Sequence, residues 1–387
     1  MKRFLLAAFA ISLTTQISAS AAPKTIVATE VTKIASIAPY EGAVITSLGV
    51  TTFSNYEKKI EVSTVDFTGT QRWTIKLDTL SDQIAMAATS EKDGNIWLAG
   101  MSATSTLSQL ESATAPATNV DGVAVEPIPG LRDELNSVTV WKISPTGGLI
   151  ATYVDSQTAP TLITAISHSI SGLSIIGDRG AGTILISMTA TGKFSSSKTI
   201  GTAKSSFTSI YRNSDGSANI YGSSSETLGG KKAAGVRDGI LAKVNKSGAI
   251  TSIIRSSAQS ASRSWKSATS TIFLVGDVKV GGKNETAFTK FNSSFSPTWT
   301  LRLPSNGAIL AASSANGSHY ALFNSTSSIA GVSGWKPASA TAIILRFDSK
   351  GVITQALKAP QIKSADAMAF IPGVGIIIVS STGIFKG

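Results

Sequence analysis

Cysteine is absent from the 387 residues, histidine occurs twice, and charged side chains make up only 15% of the chain. Without a thiol there is no disulfide scaffold, no thiolate metal site, no cysteine nucleophile and no lipid attachment at cysteine. His168 and His319 each stand in a strand-like run with no spaced partner, so neither belongs to a metal or triad motif. A G-x-S-x-G elbow is missing as well. The sequence thus names no catalytic residue, no metal site and no cofactor. Amphipathic helical segments of convincing length are also missing, which disfavours a parallel βαβ fold. Low charge does not imply disorder here, because 42% of the residues are apolar, enough for a large core.

Long apolar runs are scarce, and both have readings that need no membrane. At the N-terminus, Lys2 and Arg3 precede an apolar stretch from Phe4 to Leu13, and Ala19-Ser20-Ala21 supplies a small-residue cleavage site. This pattern predicts a signal peptide over 1–21 and a secreted or extracytoplasmic protein, periplasmic or at the cell surface. Ten apolar residues are too few to cross a bilayer. Near the C-terminus, residues 367–385 are interrupted by Pro372, Gly373 and Gly375, so Ile376 to Val379 reads as a strand.

What is abundant is a repeat. Polar-Gly pairs precede short β-rich runs, several of which close on glycine: EGAVITSLG from Glu41, DGNIWLAG from Asp93, SGLSIIG from Ser171, DGSANIYG from Asp215 and NGSHYALFN from Asn316. Degenerate copies start at Thr269 and Pro372. A second signal alternates with the first, an Asp, Asn, Ser or Thr with Gly three positions later. It occurs at Asp66–Gly69, Ser144–Gly147, Thr189–Gly192, Asn245–Gly248 and Asp348–Gly351, and Asn292–Phe295 lacks the glycine. Each unit reads as four short strands; in the first these are residues 32–37, 43–48, 59–65 and 72–77.

Seven copies of roughly 52 residues predict a single all-β domain over 22–387, a seven-bladed β-propeller of four-stranded antiparallel blades. The last copy lacks a strand, and Thr25 to Val31 is the expected donor that closes the ring. The stretch 218–248, with Gly222, Gly229, Gly230, Asp238, Ala242, Lys243, Asn245 and Gly248, resembles the bacterial seven-bladed propeller repeat family. The resemblance implies that fold and an extracytoplasmic setting; the family carries no single activity to transfer.

Loop length points to a binding face. The longest loop, about 101–136, carries Glu111, Asp121, Glu126, Asp133 and Glu134 against Arg132 alone. Equivalent loops at 223–239, 277–286 and 324–340 are mildly basic through Lys231, Lys232, Arg237, Lys279, Lys283 and Lys336. Trp335 beside Lys336 either presents a stacking surface to a sugar or partner protein, or folds back on its own loop. The ligand-binding candidates are therefore Trp335, Lys336, Lys231, Lys232, Arg237, Asp133 and Glu134. The leading expectation is a secreted, non-catalytic propeller that binds a protein or polysaccharide through this face. Alternatives are a glycan-cleaving enzyme using loop carboxylates as acid and base, and a structural envelope protein. The net charge of +11 is distributed largely over fixed strand positions, such as Lys142, Lys243, Lys290 and Arg346. That disfavours a nucleic-acid groove and leaves weak, salt-sensitive attraction to anionic envelope polymers.

Overall fold

The computed structural model describes residues 25–56, 59–77, 81–106 and 134–387. The expected signal peptide and most of the 101–136 loop, Asp133 included, lie outside these. The chain starts with β1 (Ile26–Val27), β2 (Thr29–Glu30) and β3 (Thr32–Ala35). Antiparallel four-stranded blades follow. The first is β4 (Gly42–Ile45), β5 (Val50–Tyr56), β6 (Lys59–Val65) and β7 (Gln71–Leu77). The second is β8 (Ser81–Ser90), β9 (Ile96–Thr106), β10 (Ser137–Ile143) and β11 (Leu149–Ser156). The third is β12 (Leu162–Ser169), β13 (Gly172–Asp178), β14 (Thr183–Thr189) and β15 (Lys198–Thr199). The fourth is β16 (Ser205–Arg212), β17 (Ala218–Ser224), β18 (Asp238–Val244) and β19 (Ile250–Ser256).

Beyond these the expected pattern changes. After β20 (Ser262–Ala268), β21 (Phe273–Val280) and β22 (Lys283–Phe291), a single 19-residue strand β23 (Pro297–Ala315) runs unbroken from one repeat unit into the next, and β24 (Ser318–Ser325), β25 (Val332–Ser333), β26 (Thr341–Phe347) and β27 (Ile353–Lys358) follow. The result is one eight-stranded sheet in the order β2-β27-β26-β24-β23-β22-β21-β20. A last four-stranded blade combines β28 (Ala367–Ile371), β29 (Gly375–Ser380) and β30 (Gly383–Lys386) with β3. The expectation of seven separate blades is therefore corrected: five four-stranded blades stand alone, and the other repeat units are fused. The physical reason lies in Ser305-Asn306-Gly307, where the chain bends within a continuous strand, Gly307 taking φ 70° and the pairing with β24 slipping between Ser305 and Leu310.

Ring closure follows the expected logic with a different donor. β3, not 25–31, pairs with β30, Thr32 opposite Lys386 and Lys33 opposite Phe385. Residues 25–31 instead lie parallel to β25 and β27, with Ala28 and Val31 buried and Val27 exposed. The first blade starts at Gly42 rather than at residue 32, and its second strand is β5, which the repeat pattern placed one strand too early. Its first hairpin turns at Thr46–Gly49, where the Thr46 N–H donates to the Gly49 carbonyl over 2.9 Å, and not at Glu41-Gly42.

The turn signals have direct structural causes. Asp66 Oδ1 accepts the N–H groups of Thr68 and Thr70 at 2.8 and 3.0 Å, and Asn245 Oδ1 does the same for Ser247 and Ala249 at 3.0 Å each. Where the glycine is missing, Phe295 itself takes φ 58°, a conformation that costs a residue with a Cβ about 1–2 kcal/mol. The core lies between adjacent sheets. Phe53, Ile60 and Val62 of the first blade pack against Leu98 and Trp141 of the second, and Tyr320 and Leu322 against Ile378 and Phe385 of the last. Within the eight-stranded sheet the two halves face each other, Phe288 meeting Phe323 edge-on with centroids 4.9 Å apart. The C-terminal apolar run is absorbed as β28–β30, with Ile376 to Val379 buried. No helix among the described residues is long and apolar enough to cross a membrane.

Candidate functional site

The innermost strands β4, β8, β16, β20, β23 and β28 surround a central cavity of about 530 Å³. Its wall is unusually small-residue and polar, with Ala88, Ser90, Ser209, Ser267, Ala312 and Ala367 among the liners. Several inner strands carry a bulge at the same height. Register slips between Ala85 and Ala87, Ile163 and Ala165, Phe207 and Ser209, and Trp265 and Ser267 leave Met86, Thr164, Thr208 and Lys266 as the extra residues. Opposite each of these slips stands a strand-closing glycine, Gly100, Gly177, Gly222 and Gly276. A Cβ on Gly100, Gly222 or Gly276 would lie only 1.9–2.1 Å from a carbonyl oxygen of the bulged strand. The glycine that ends the repeat motif thus permits the bulge, and two of the extra residues, Thr208 and Lys266, line the cavity. In this way β20 brings Lys266 to the channel wall.

The lining of this cavity carries a single carboxylate, Asp366. Asp366 Oδ2 accepts the Tyr40 hydroxyl at 2.5 Å and the Ser364 hydroxyl at 2.7 Å. Burial, then the hydrogen bond and negative charge of Asp366, push the Tyr40 phenol far above its ordinary value, so it remains a donor.

Lys266 also lines a second, smaller pocket of about 250 Å³ beside the channel. This pocket is built from the start of β20 (Ser262, Arg263, Ser264), the end of β21 (Asp277, Val278, Lys279), the start of β22 (Asn284, Glu285) and the β23 bend (Asn306, Gly307). Arg302 of β23 forms an ion pair with Glu285. Asp277 Oδ1 and Arg263 Nε are buried without a hydrogen-bond partner in the protein. Burial pushes the Asp277 carboxyl above its ordinary value, against the opposite pull of Lys266. Burial, and then nearby Arg302, lower the Arg263 guanidinium. Buried polar atoms are nearly always partnered, and these two lie together in one pocket, where an incoming donor or acceptor could reach them.

The residues singled out from sequence lie elsewhere. Lys231 is exposed but donates to the Ile253 carbonyl at 2.7 Å; Lys232 is exposed on the same turn. Arg237 is half-buried and donates to Ser223 Oγ at 3.0 Å. Lys336 is exposed, whereas Trp335 is 6% exposed and packs with Ala28, Ile329 and Val332. Of its two expected placements the folded-back one is found, and the ring offers no free face for stacking. Glu134 is partly exposed, its carbonyl accepting the Asn136 N–H at 2.9 Å. Lys231 and Lys232 share one turn, Trp335 and Lys336 are adjacent, and Asp133 lies outside the described residues. His168 stacks on Trp97 at 5.6 Å between centroids, and His319 is 4% exposed with Nδ1 2.8 Å from Ser314 Oγ. Among the described residues no group of three or more His, Asp or Glu could hold a metal ion. Part of the pocket, residues 277–279 and 284–285, falls in the 277–286 loop that the sequence assigns to the binding face, whereas Arg263 and Lys266 were visible only as charges.

No protein-family model matches the chain, and no curated protein does. Among solved structures, the WD40 domain of Toxoplasma gondii coronin aligns with a TM-score of 0.51 at 9% identity, over 92% of this chain and 83% of its own. An uncharacterized protein from Listeria monocytogenes EGD-e aligns with a TM-score of 0.45 at 9% identity, over 92% and 97% of the two chains. BBS1N, solved in complex with ARL6DN, gives a TM-score of 0.46 at 10% identity, over 94% and 96%. The coronin likeness shows the propeller fold alone.

Proposed function

We propose that this chain is an exported propeller that binds a protein or polysaccharide ligand on the face formed by its longer loops and the channel mouth. The observation that carries this reading is the polar pocket at the ends of β20–β22, where Asp277 Oδ1 and Arg263 Nε stand unpartnered. Export is supported by Lys2, Arg3, the apolar stretch to Leu13 and Ala19-Ser20-Ala21. Two experiments test the reading. N-terminal sequencing of the protein from its native host is expected to start at Ala22; a start at Met1 overturns export. For the face, the mature chain is compared on a glycan array and a panel of purified envelope proteins with a variant whose residues 103–134 are replaced by a short turn. Ser102 and Ser137 are paired neighbours, so a short turn can join β9 to β10 at that point. Binding that weakens in the variant is expected; no bound ligand at all overturns the reading.

A second reading, a glycan-cleaving propeller, has one observation in its favour: Asp277, its carboxyl raised, shares the pocket with Glu285. Shortening of an array-positive oligosaccharide, abolished by Asp277→Asn, is the outcome that would establish it.

A further inference from the structure

The acid–arginine pair in the pocket has a twin one unit earlier in the chain. Asp238 and Glu285 both stand ten residues before the last position of their units' turns, Gly248 and Phe295, and Arg255 and Arg302 both stand seven after it. In the first case the 13-residue connection 225–237 folds over the pair. Asp238 is fully buried, accepts the N–H groups of Ala234 and Gly235 at 3.0 and 2.9 Å, and meets Arg255 Nη1 at 3.1 Å. In the second, β21 and β22 are joined only by Gly281-Gly282, so no loop folds over Glu285 and Arg302, which stay partly exposed, and the pocket opens beside them. The protein fills the first position with its own backbone and leaves the second to be filled.

We propose that this open pocket binds the carboxylate-bearing sugar unit of an acidic polysaccharide. The assignment rests on the binding function proposed above. Sign comes first: Arg263, Lys266 and Lys279 outnumber Asp277 and Glu285, and Glu285 is already paired with Arg302. An anion is therefore favoured. Hydroxyls come next. A sugar ring brings donors as well as acceptors, which suits unpartnered Asp277 Oδ1 on one side and Arg263 Nε with Ser262, Ser264 and Asn306 on the other. An acidic peptide side chain would bring acceptors alone and leave Asp277 unmatched, and Val278 is the pocket's only apolar wall. Size also agrees. About 250 Å³ lies just under the roughly 300 Å³ at which drug-sized pockets begin, room for one ring of a longer chain. Finally, Lys266 lines both this pocket and the channel, so a polymer held here can continue across the channel mouth.

The test is calorimetric titration of the mature chain with trimers of galacturonate, mannuronate and guluronate, with maltotriose as the neutral control and triglutamate as the peptide control. At least one uronate trimer is expected to bind, more weakly as salt is added, and maltotriose and triglutamate are not. Arg263→Gln and Lys266→Gln are each expected to weaken binding at least tenfold. Lys279→Gln and Asn306→Ala, both at exposed positions, serve as milder variants should the first two lose their native thermal transition. Absence of uronate binding, equal binding of triglutamate, or unchanged affinity in all folded variants overturns the assignment. If the array ligand of the preceding section still binds Arg263→Gln and Lys266→Gln unchanged, this pocket fails while the binding function survives. If the chain binds nothing on the array, the general reading fails instead.

Discussion

Asp238 with Arg255 and Glu285 with Arg302 are the same pair of repeat positions in two neighbouring units, yet their surroundings differ. The side chains of the first pair are 0% and 7% exposed, those of the second 23% and 34%. The difference comes from the connection above them, thirteen residues in one unit and two glycines in the other. Buried, the pair fastens a loop to the blade; open, it becomes the wall of a pocket. A repeat fold can in this way turn one structural device into a recognition site by shortening a loop, without altering the strands.

The largest effect is expected where the pair is buried. Asp238→Ala leaves Arg255 charged and unpaired and releases the Ala234 and Gly235 N–H groups. A loss of about 3–5 kcal/mol is expected in denaturant unfolding; a loss below about 1 kcal/mol would break the contrast. Next comes Gly307→Ala at the pocket floor. Gly307 has φ 70°, and an added Cβ would lie 2.5 Å from Asp277 Oδ1. Backbone strain of about 1–2 kcal/mol is expected, together with weaker ligand binding. Glu285→Gln, by contrast, should cost less than about 1 kcal/mol of stability, because its pair is partly exposed to water.

Asp277→Asn sharpens the comparison through its sign. The folded state raises the Asp277 carboxyl, so ionising it disfavours folding. That penalty is absent below the ordinary carboxylate value and grows as pH rises from there through the raised folded value. The asparagine variant is thus expected to have a higher Tm than the parent at pH 7 and the same Tm near pH 3. Equal Tm at both pH values would show that Asp277 is not held in an ionisation-averse site. His319 acts in the opposite direction: burial, then Lys290, lower it to about 4, so its contribution to stability is complete above pH 6.5 and is lost as pH falls toward 4.

Much of this fold could be read residue by residue. Asp66, Asn245, Asn292 and Asp348 cap their turns through their own side chains, a local interaction that needs no distant partner. The evenly placed cations also proved to be strand features: Lys142 lies 4.7 Å from the Trp97 ring centroid and 3.0 Å from Glu91, and Arg346 bonds Ser318. The candidate site was far less legible. Lys231 and Arg237 carried the charge expected of a binding loop, but their hydrogen bonds run inward to Ile253 and Ser223. Trp335 was ambiguous because a loop tryptophan's exposure depends on what lies beneath it, and here that is Ala28 and its neighbours, some three hundred positions away.

Strand content and most turn positions were thus set locally, because glycine, side-chain caps and alternating β-branched residues act within a few bonds of one another. Three things depended on the assembled ring. One was which N-terminal segment closes it, β3 rather than 25–31. Another was the fusion of two repeat units through β23. The last was the pocket at Arg263 and Asp277. Each depends on which backbone edge or side chain arrives opposite from a distant part of the chain, and pairing across such distances is decided by burial and available hydrogen-bond partners, not by neighbouring residues.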